Sequence, residues 1–336
     1  MNHQENIKSI LNFINQKDFL KLYSRNMCVQ ITENSSYYSI LELNKIRGLK
    51  FFDQLAINKN KFVDCYGRAD QIGVVSREIR KIYDQSKSIK DYYEIYALPR
   101  FKEYIDFARK MHKKYSQKHE YSSHEVLKDY DNFSKINAGF IENLWFIFLS
   151  DSVIDEMLKS SISKQEYLKL VSTPLKRTAI SMEHEDLLKI ASIKKGYKYK
   201  KEIKKHCEKW RWFPCYNPCD DAYGLAHYKD ELRQYTILSA KEELKKMNND
   251  RAEHKKAYNK FLKNIKDKKL IKLVKMTNEI CFYREYRNDL RREGLYLIGP
   301  LYERIGKFFG LNVTEACYLT NEEIKNFLYF GLKILL

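Results

Sequence analysis

The stretch from Glu279 to Glu323, EICFYREYRNDLRREGLYLIGPLYERIGKFFGLNVTEACYLTNEE, sets the tightest limit on what this chain can fold into. Arg284, Arg287 and Arg291 recur at i, i+3 and i+7, so they share one face of a helix. Ile280, Tyr283 and Leu290 give that helix an apolar side, and Gly294 interrupts the pattern. Leu297, Ile298, Leu301, Tyr302, Ile305, Phe308 and Phe309 then build the broad buried face of a second helix. Pro300 is expected in its first turn, where a missing N–H does no harm. Gly310 suits a helix stop, and Thr320 with Glu323 forms a capping box that opens a further helix. The unit carries one basic stripe, and two readings of it stay open. It is a solvated face paired with Glu279, Glu285 and Asp289, or it is a surface for an anion, a phosphate or a partner, which planar guanidinium groups suit.

The rest of the chain has few helix breakers, with 11 Gly and 5 Pro in 336 residues. Lys, Glu, Leu and Ile are frequent, so the expected fold is mostly α, a multi-helix bundle with little β structure. Residues 236–275 add a long charged helical hairpin, with Asn248-Asn-Asp250 as its break. The length admits two parts, 1–170 and 171–336, or one continuous domain. Ile10, Leu11, Ile14, Phe19, Leu20 and Tyr23 fall at helical spacing, so residues 1–60 read as a helical hairpin. A short extended piece is expected at Cys28–Thr32. Asp64, Arg68 and Asp70 are expected to cap and turn a loop between helices. Gly67 and Gly73 lack the lysine and serine or threonine ending of a phosphate loop. Several helices follow over 85–170, and another is expected to start near Asp186 with acids in its first turn. Glu183, His184, Glu185 and Asp186 belong to that start rather than to an acid–base or metal site. His112, His119 and His124 lie in polar surroundings and read as surface residues.

The formal charge is +18. A field of that sign admits nucleic acid or an anionic substrate, although no recognition motif accompanies it, so a basic helical nucleic-acid binder stands as the alternative function. Residues 194–205, KKGYKYKKEIKK, read as a linker or a solvated basic face. The N-terminus has no secretory signal and no apolar run is long enough to span a bilayer, which points to a cytoplasmic protein with reduced thiols and no membrane partner. His206, Cys207, Cys215, Cys219 and His227 are the best metal-ligand candidates. Their spacing differs from paired CxxC or CxxC/HxxxH knuckles, so no metal is expected. The apolar run Phe327–Leu336 implies a continuation or a docking partner.

Arg284-Glu-Tyr-Arg287, Leu301-Tyr-Glu303-Arg304, Gly310-Leu and Tyr318-Leu-Thr-Asn-Glu322-Glu-Ile324 together resemble the helical middle region of the phosphoenolpyruvate synthase family, which includes pyruvate phosphate dikinase-like enzymes. Two further segments are similar in order. One runs from Pro174 through Asp186-Leu-Leu188-Lys-Ile190-Ala191, and the other is the aromatic stretch Trp210–Phe213 ahead of a helix with Tyr223, Leu225, Tyr228, Leu232 and Tyr235. The resemblance implies a phosphotransferase in which an ATP-grasp part binds ATP and Mg and a swivelling domain carries a phosphorylated histidine. None of the eight histidines here has that domain's glycine-rich context, and no glycine-rich ATP cradle is present. The resemblance therefore implies a scaffold or linker region that acts with an ATP-grasp or phosphohistidine partner or is a truncated relative of such an enzyme, with no catalytic residue or cofactor of its own carried over.

Overall fold

The computed structural model describes residues 19–33, 54–59, 62–85 and 93–330. The helical reading of Ile10, Leu11 and Ile14, and the apolar end 331–336, lie outside them. The described fold is mostly helical. The chain divides into two compact units that are discontinuous in sequence: residues 1–85, 113–149 and 300–336 form the first, and 86–112 with 150–299 form the second.

The first unit holds a three-stranded antiparallel sheet, β1 (Phe19–Asn26), β2 (Gln54–Lys59) and β3 (Phe62–Arg68), in the order β1-β3-β2. This corrects the helical expectation for Phe19–Tyr23. Leu20 is exposed, so apolar residues there do not make a continuous inward face. Cys28–Thr32, expected to be extended, enters the short helix α1 (Val29–Glu33) instead. The loop expected around Asp64 and Arg68 is strand β3, which runs directly into helix α2 (Ala69–Gln85). Asp64 there accepts an ion pair from Lys21 at 2.7 Å, and Arg68 pairs with Asp70 at 2.6 Å. Central β3 buries Val63 and Cys65, while Phe62 stays exposed at its start.

Four helices complete the unit or contribute to it: α3 (Leu98–Tyr115), α4 (Ser123–Ser161), α10 (Lys268–Phe309) and α12 (Asn321–Phe330), with the short α11 (Val313–Ala316) between the last two. Gly310 ends α10 at φ +71°, where a Cβ would be strained, and Thr320 and Glu323 close the expected capping box of α12. Buried Gln30 of α1 is this unit's polar centre. Its amide donates to the Leu319 carbonyl, its backbone N–H reaches Cys317 at 3.2 Å, and its Oε1 accepts from the Tyr130 hydroxyl at 2.6 Å. Such pairing removes most of the cost of burying a primary amide.

The second unit adds a π-helical turn (Tyr93–Ala97), then α5 (Gln165–Ser172), α6 (Ala179–Ala191), α7 (Tyr197–Trp210), α8 (Leu225–Arg233) and α9 (Ile237–Asn264). α6 packs against α7, α8 and α9. Their shared core is Leu187, Leu188, Ile203, Trp210, Tyr228 and Leu232. α9 is unbroken across Asn248-Asn-Asp250, which corrects the expected break within 236–275, and the chain turns instead at 265–267 before α10. α10 likewise runs through Gly294 and Pro300 without stopping. Pro300 is therefore interior to one helix, not in the first turn of a second.

Candidate functional site

α10 carries the residues around which the second unit is arranged. Its face at 278 and 289 meets the approach to α6. The buried Asn278 side chain accepts from Leu175 N–H at 3.1 Å and donates to the carbonyls of Thr173 at 2.7 Å and Val171 at 3.3 Å. Asp289 accepts from the N–H of Ala179, the first residue of α6. Burial pushes the Asp289 carboxyl up to about 7, against the opposing pull of Arg292 and the Ala179 N–H. A neighbouring face meets the residues before α3 and α3 itself. Tyr283 stacks on Tyr93 at 3.7 Å, and Gly294 lies directly under the Tyr104 ring. A third face, at Arg292, Tyr296 and Gly299, follows i, i+4, i+7 spacing and carries the 211–224 loop. There Arg292 lies 4.9 Å over the Tyr216 ring, Arg211 lies 5.4 Å over Tyr296, and Gly299 allows the close approach of the Pro218 carbonyl.

Of the expected arginine stripe, Arg284 is half-buried and pairs with Asp151 at 2.9 Å and Glu285 at 3.2 Å. Arg287 and Arg291 are buried. All three stay on α10 within the second unit, and Arg284 is the one that reaches solvent.

Glu183, His184, Glu185 and Asp186 lie in the middle of α6, not in its first turn, because Thr178 caps the helix eight residues before Asp186. Their side chains reach partners on α7, on α9 and within or just before α6. Glu183 pairs with His206 of α7 at 3.0 Å, and His184 with Glu243 of α9 at 2.9 Å. Asp186 takes Lys209 at 2.8 Å and the Trp210 indole at 3.3 Å. Glu185 is buried and receives Lys189 at 2.8 Å, Arg177 at 3.1 Å and Arg251 at 3.4 Å, and the Lys189 and Arg177 bonds hold its carboxyl down at about 2. The quartet ties α6 to its neighbours.

The metal-ligand candidates do not converge; among the described residues no group of three or more His, Cys, Asp or Glu side chains is placed to hold a metal ion. The Cys207 thiol faces the Tyr223 carbonyl at 3.7 Å, and His227 stacks on Tyr223 at 3.7 Å. Cys215 is buried against the Asp220 carbonyl, and burial pushes its thiol up to about 12, so it stays protonated and a poor ligand. Cys219 is half-buried and free of any disulfide. The Asp220 carboxylate instead accepts the N–H groups of Tyr216 at 2.7 Å and Asn217 at 2.8 Å, which closes the loop on itself.

Near this loop, four buried polar atoms have no hydrogen-bond partner among the described residues: His206 Nδ1, Arg211 Nε, Tyr228 OH and Arg292 Nε. The His206 ring meets Tyr228 edge-on at 4.6 Å, and burial pushes the Tyr228 and Tyr296 hydroxyls up against the opposing pull of Arg211. A buried donor or acceptor without a partner costs about 1–3 kcal/mol, so such atoms mark where water would be held. Spacing alone does not mark Arg211 and Arg292, and Tyr228 reads in the sequence only as one residue of an aromatic helix. The signal was an arginine set inside the aromatic run Trp210-Arg-Trp-Phe213.

Among the described residues no helix is long and apolar enough to cross a membrane. No family model, curated protein or solved structure matches the chain.

Proposed function

We propose that this chain is a helical scaffold region of a phosphoenolpyruvate synthase-like phosphotransferase, acting with ATP-grasp and phosphohistidine parts. One observation supports the reading most. Three separated segments that carry the resemblance meet in the second unit: the 174–191 segment reaches α10 through Ala179 and Asp289, and the Trp210–Phe213 stretch reaches it through Arg292, which lies 5.8 Å over Phe213. Segments distant in sequence that pack on one helix act as one structural module.

On this reading ATP and Mg belong to the partner. The scaffold's own contribution is a surface that positions a partner or a phosphorylated ligand, with Arg284 as the accessible member of the α10 stripe. The test is reconstitution with an ATP-grasp protein and a phosphohistidine-domain protein from the same genome. A complex on gel filtration, and phosphoryl transfer from ATP that requires this chain, are expected. Arg284→Ala should weaken the complex while leaving the fold intact. Partners that neither associate with the chain nor need it for transfer would overturn the reading.

A further inference from the structure

We infer that the outward face of α7 is a binding surface for single-stranded nucleic acid. The inference is independent of the scaffold reading, since its binding residues, Tyr197, Lys198, Lys201 and Lys204, carry none of the resemblance.

The charge is concentrated. Residues 194–275 contain 24 Lys and Arg against 11 Asp and Glu, +13 of the chain's +18. The densest part is the approach to α7 and the helix itself, where all eight lysines from Lys194 to Lys209 are exposed. Lys205 and Lys209 have acidic partners, Glu202 at 3.0 Å and Asp186 at 2.8 Å. Lys198, Lys201 and Lys204 have no ion pair among the described residues.

The arrangement follows helical geometry. Tyr197, Lys201 and Lys204 fall within about 60° on the helix surface, with Lys198 and Lys205 on one side of that line and Lys200 on the other. Glu208 is the one acid on the line. The opposite face, Ile203, His206 and Trp210, is buried in the core, so the basic face points to solvent by necessity. Over about 21 Å of helix the lysines form a track that a phosphate backbone can follow.

Tyr197 makes the ligand more specific. It is 84% exposed, the most exposed large hydrophobic side chain among the described residues, and it stands at the start of the lysine line. A ring left in water beside lysines stabilises nothing in the isolated fold. It matches an unpaired base, which stacks on an aromatic face while lysines take the flanking phosphates. An acidic peptide would use the lysines but not the ring, and a paired duplex offers the ring no open base.

The test uses the full chain and a fluorescein-labelled oligouridylate, with a perfect RNA duplex and phosphatidylserine vesicles as the other probes. Oligouridylate binding that weakens steeply with salt is expected. Lys198→Gln/Lys201→Gln/Lys204→Gln should flatten the slope of log affinity against log salt by about 2. Tyr197→Ala should weaken oligouridylate binding about tenfold and leave duplex binding unchanged. Circular dichroism should be the same for both variants, since only exposed side chains change. No binding at low salt would overturn the inference. So would a triple variant with the wild-type slope, a Tyr197→Ala variant with unchanged oligouridylate affinity, or tighter binding to vesicles than to RNA.

Discussion

Asp289 and Glu185 are both buried carboxyls in the second unit, and their surroundings drive them in opposite directions. Glu185 sits among Lys189, Arg177 and Arg251 and is held at about 2, below its ordinary 4.5. It therefore contributes stability that is fully present above 4.5 and is lost as the pH falls towards 2. Asp289 is raised from 3.8 to about 7 by burial. The folded protein holds that proton more tightly than the unfolded chain does, so stability falls as the pH rises from 3.8 through 7. The gap corresponds to at most about 4 kcal/mol. Asp289→Asn keeps an acceptor for the Ala179 N–H without the charge. In urea unfolding it should match wild type at or below pH 3.8 and exceed it by a growing margin up to pH 8. Glu185→Gln should be less stable than wild type at pH 8, by about 1.5–3 kcal/mol, since it weakens charge-assisted hydrogen bonds. A common sign for the two variants at pH 8 would refute this account.

At the scale of elements, α10 shows what spacing reveals and what it hides. Gly294 looks like a break, yet the helix passes through it because Tyr104 takes the space a side chain would need. A Cβ there would lie 2.1 Å from the Tyr104 ring. Gly294→Ala, which stabilises an ordinary helix interior, should here cost about 1–3 kcal/mol. Tyr104→Leu in the same chain should recover part of that loss, measured as a coupling energy in a double-mutant cycle. Helical periodicity made the helical character of α9 and the basic stripe of α10 legible, and the cap at Thr320 and the stop at Gly310 were legible from residue type, whereas the lysine-dense start of α7 read as a linker or a solvated basic face. Periodicity shows which residues share a face, not which face is inside, and Arg287 and Arg291 turn inward. The sheet was hidden because Phe19, Leu20 and Tyr23 fit helical spacing as well as a strand. The destinations of the α6 quartet were hidden for another reason: His206, Glu243 and Arg251 lie 23, 59 and 66 residues from their partners, beyond any local pattern.

For the whole molecule, the distribution of charge matters more than its total. Along α7, Lys198 and Lys201, Lys200 and Lys204, Lys201 and Lys204, and Lys201 and Lys205 face each other at i, i+3 or i+4. Each like-charge pair destabilises a helix by about 0.2–0.5 kcal/mol. The helix tolerates this because Ile203, His206 and Trp210 anchor its other face in the core. Converting Lys198, Lys201 and Lys204 to Gln removes all four repulsions. The protein should then gain on the order of 1 kcal/mol at low ionic strength. The gain should fade in concentrated salt, where exposed charges a few ångströms apart are screened. Thermal melts of wild type and variant across a salt series measure both effects. A basic face kept only for solvation would be indifferent to the change or would lose stability with its lysines. A face that is more stable without them carries them for something outside the fold, and the same variant's loss of oligouridylate binding would identify what that is.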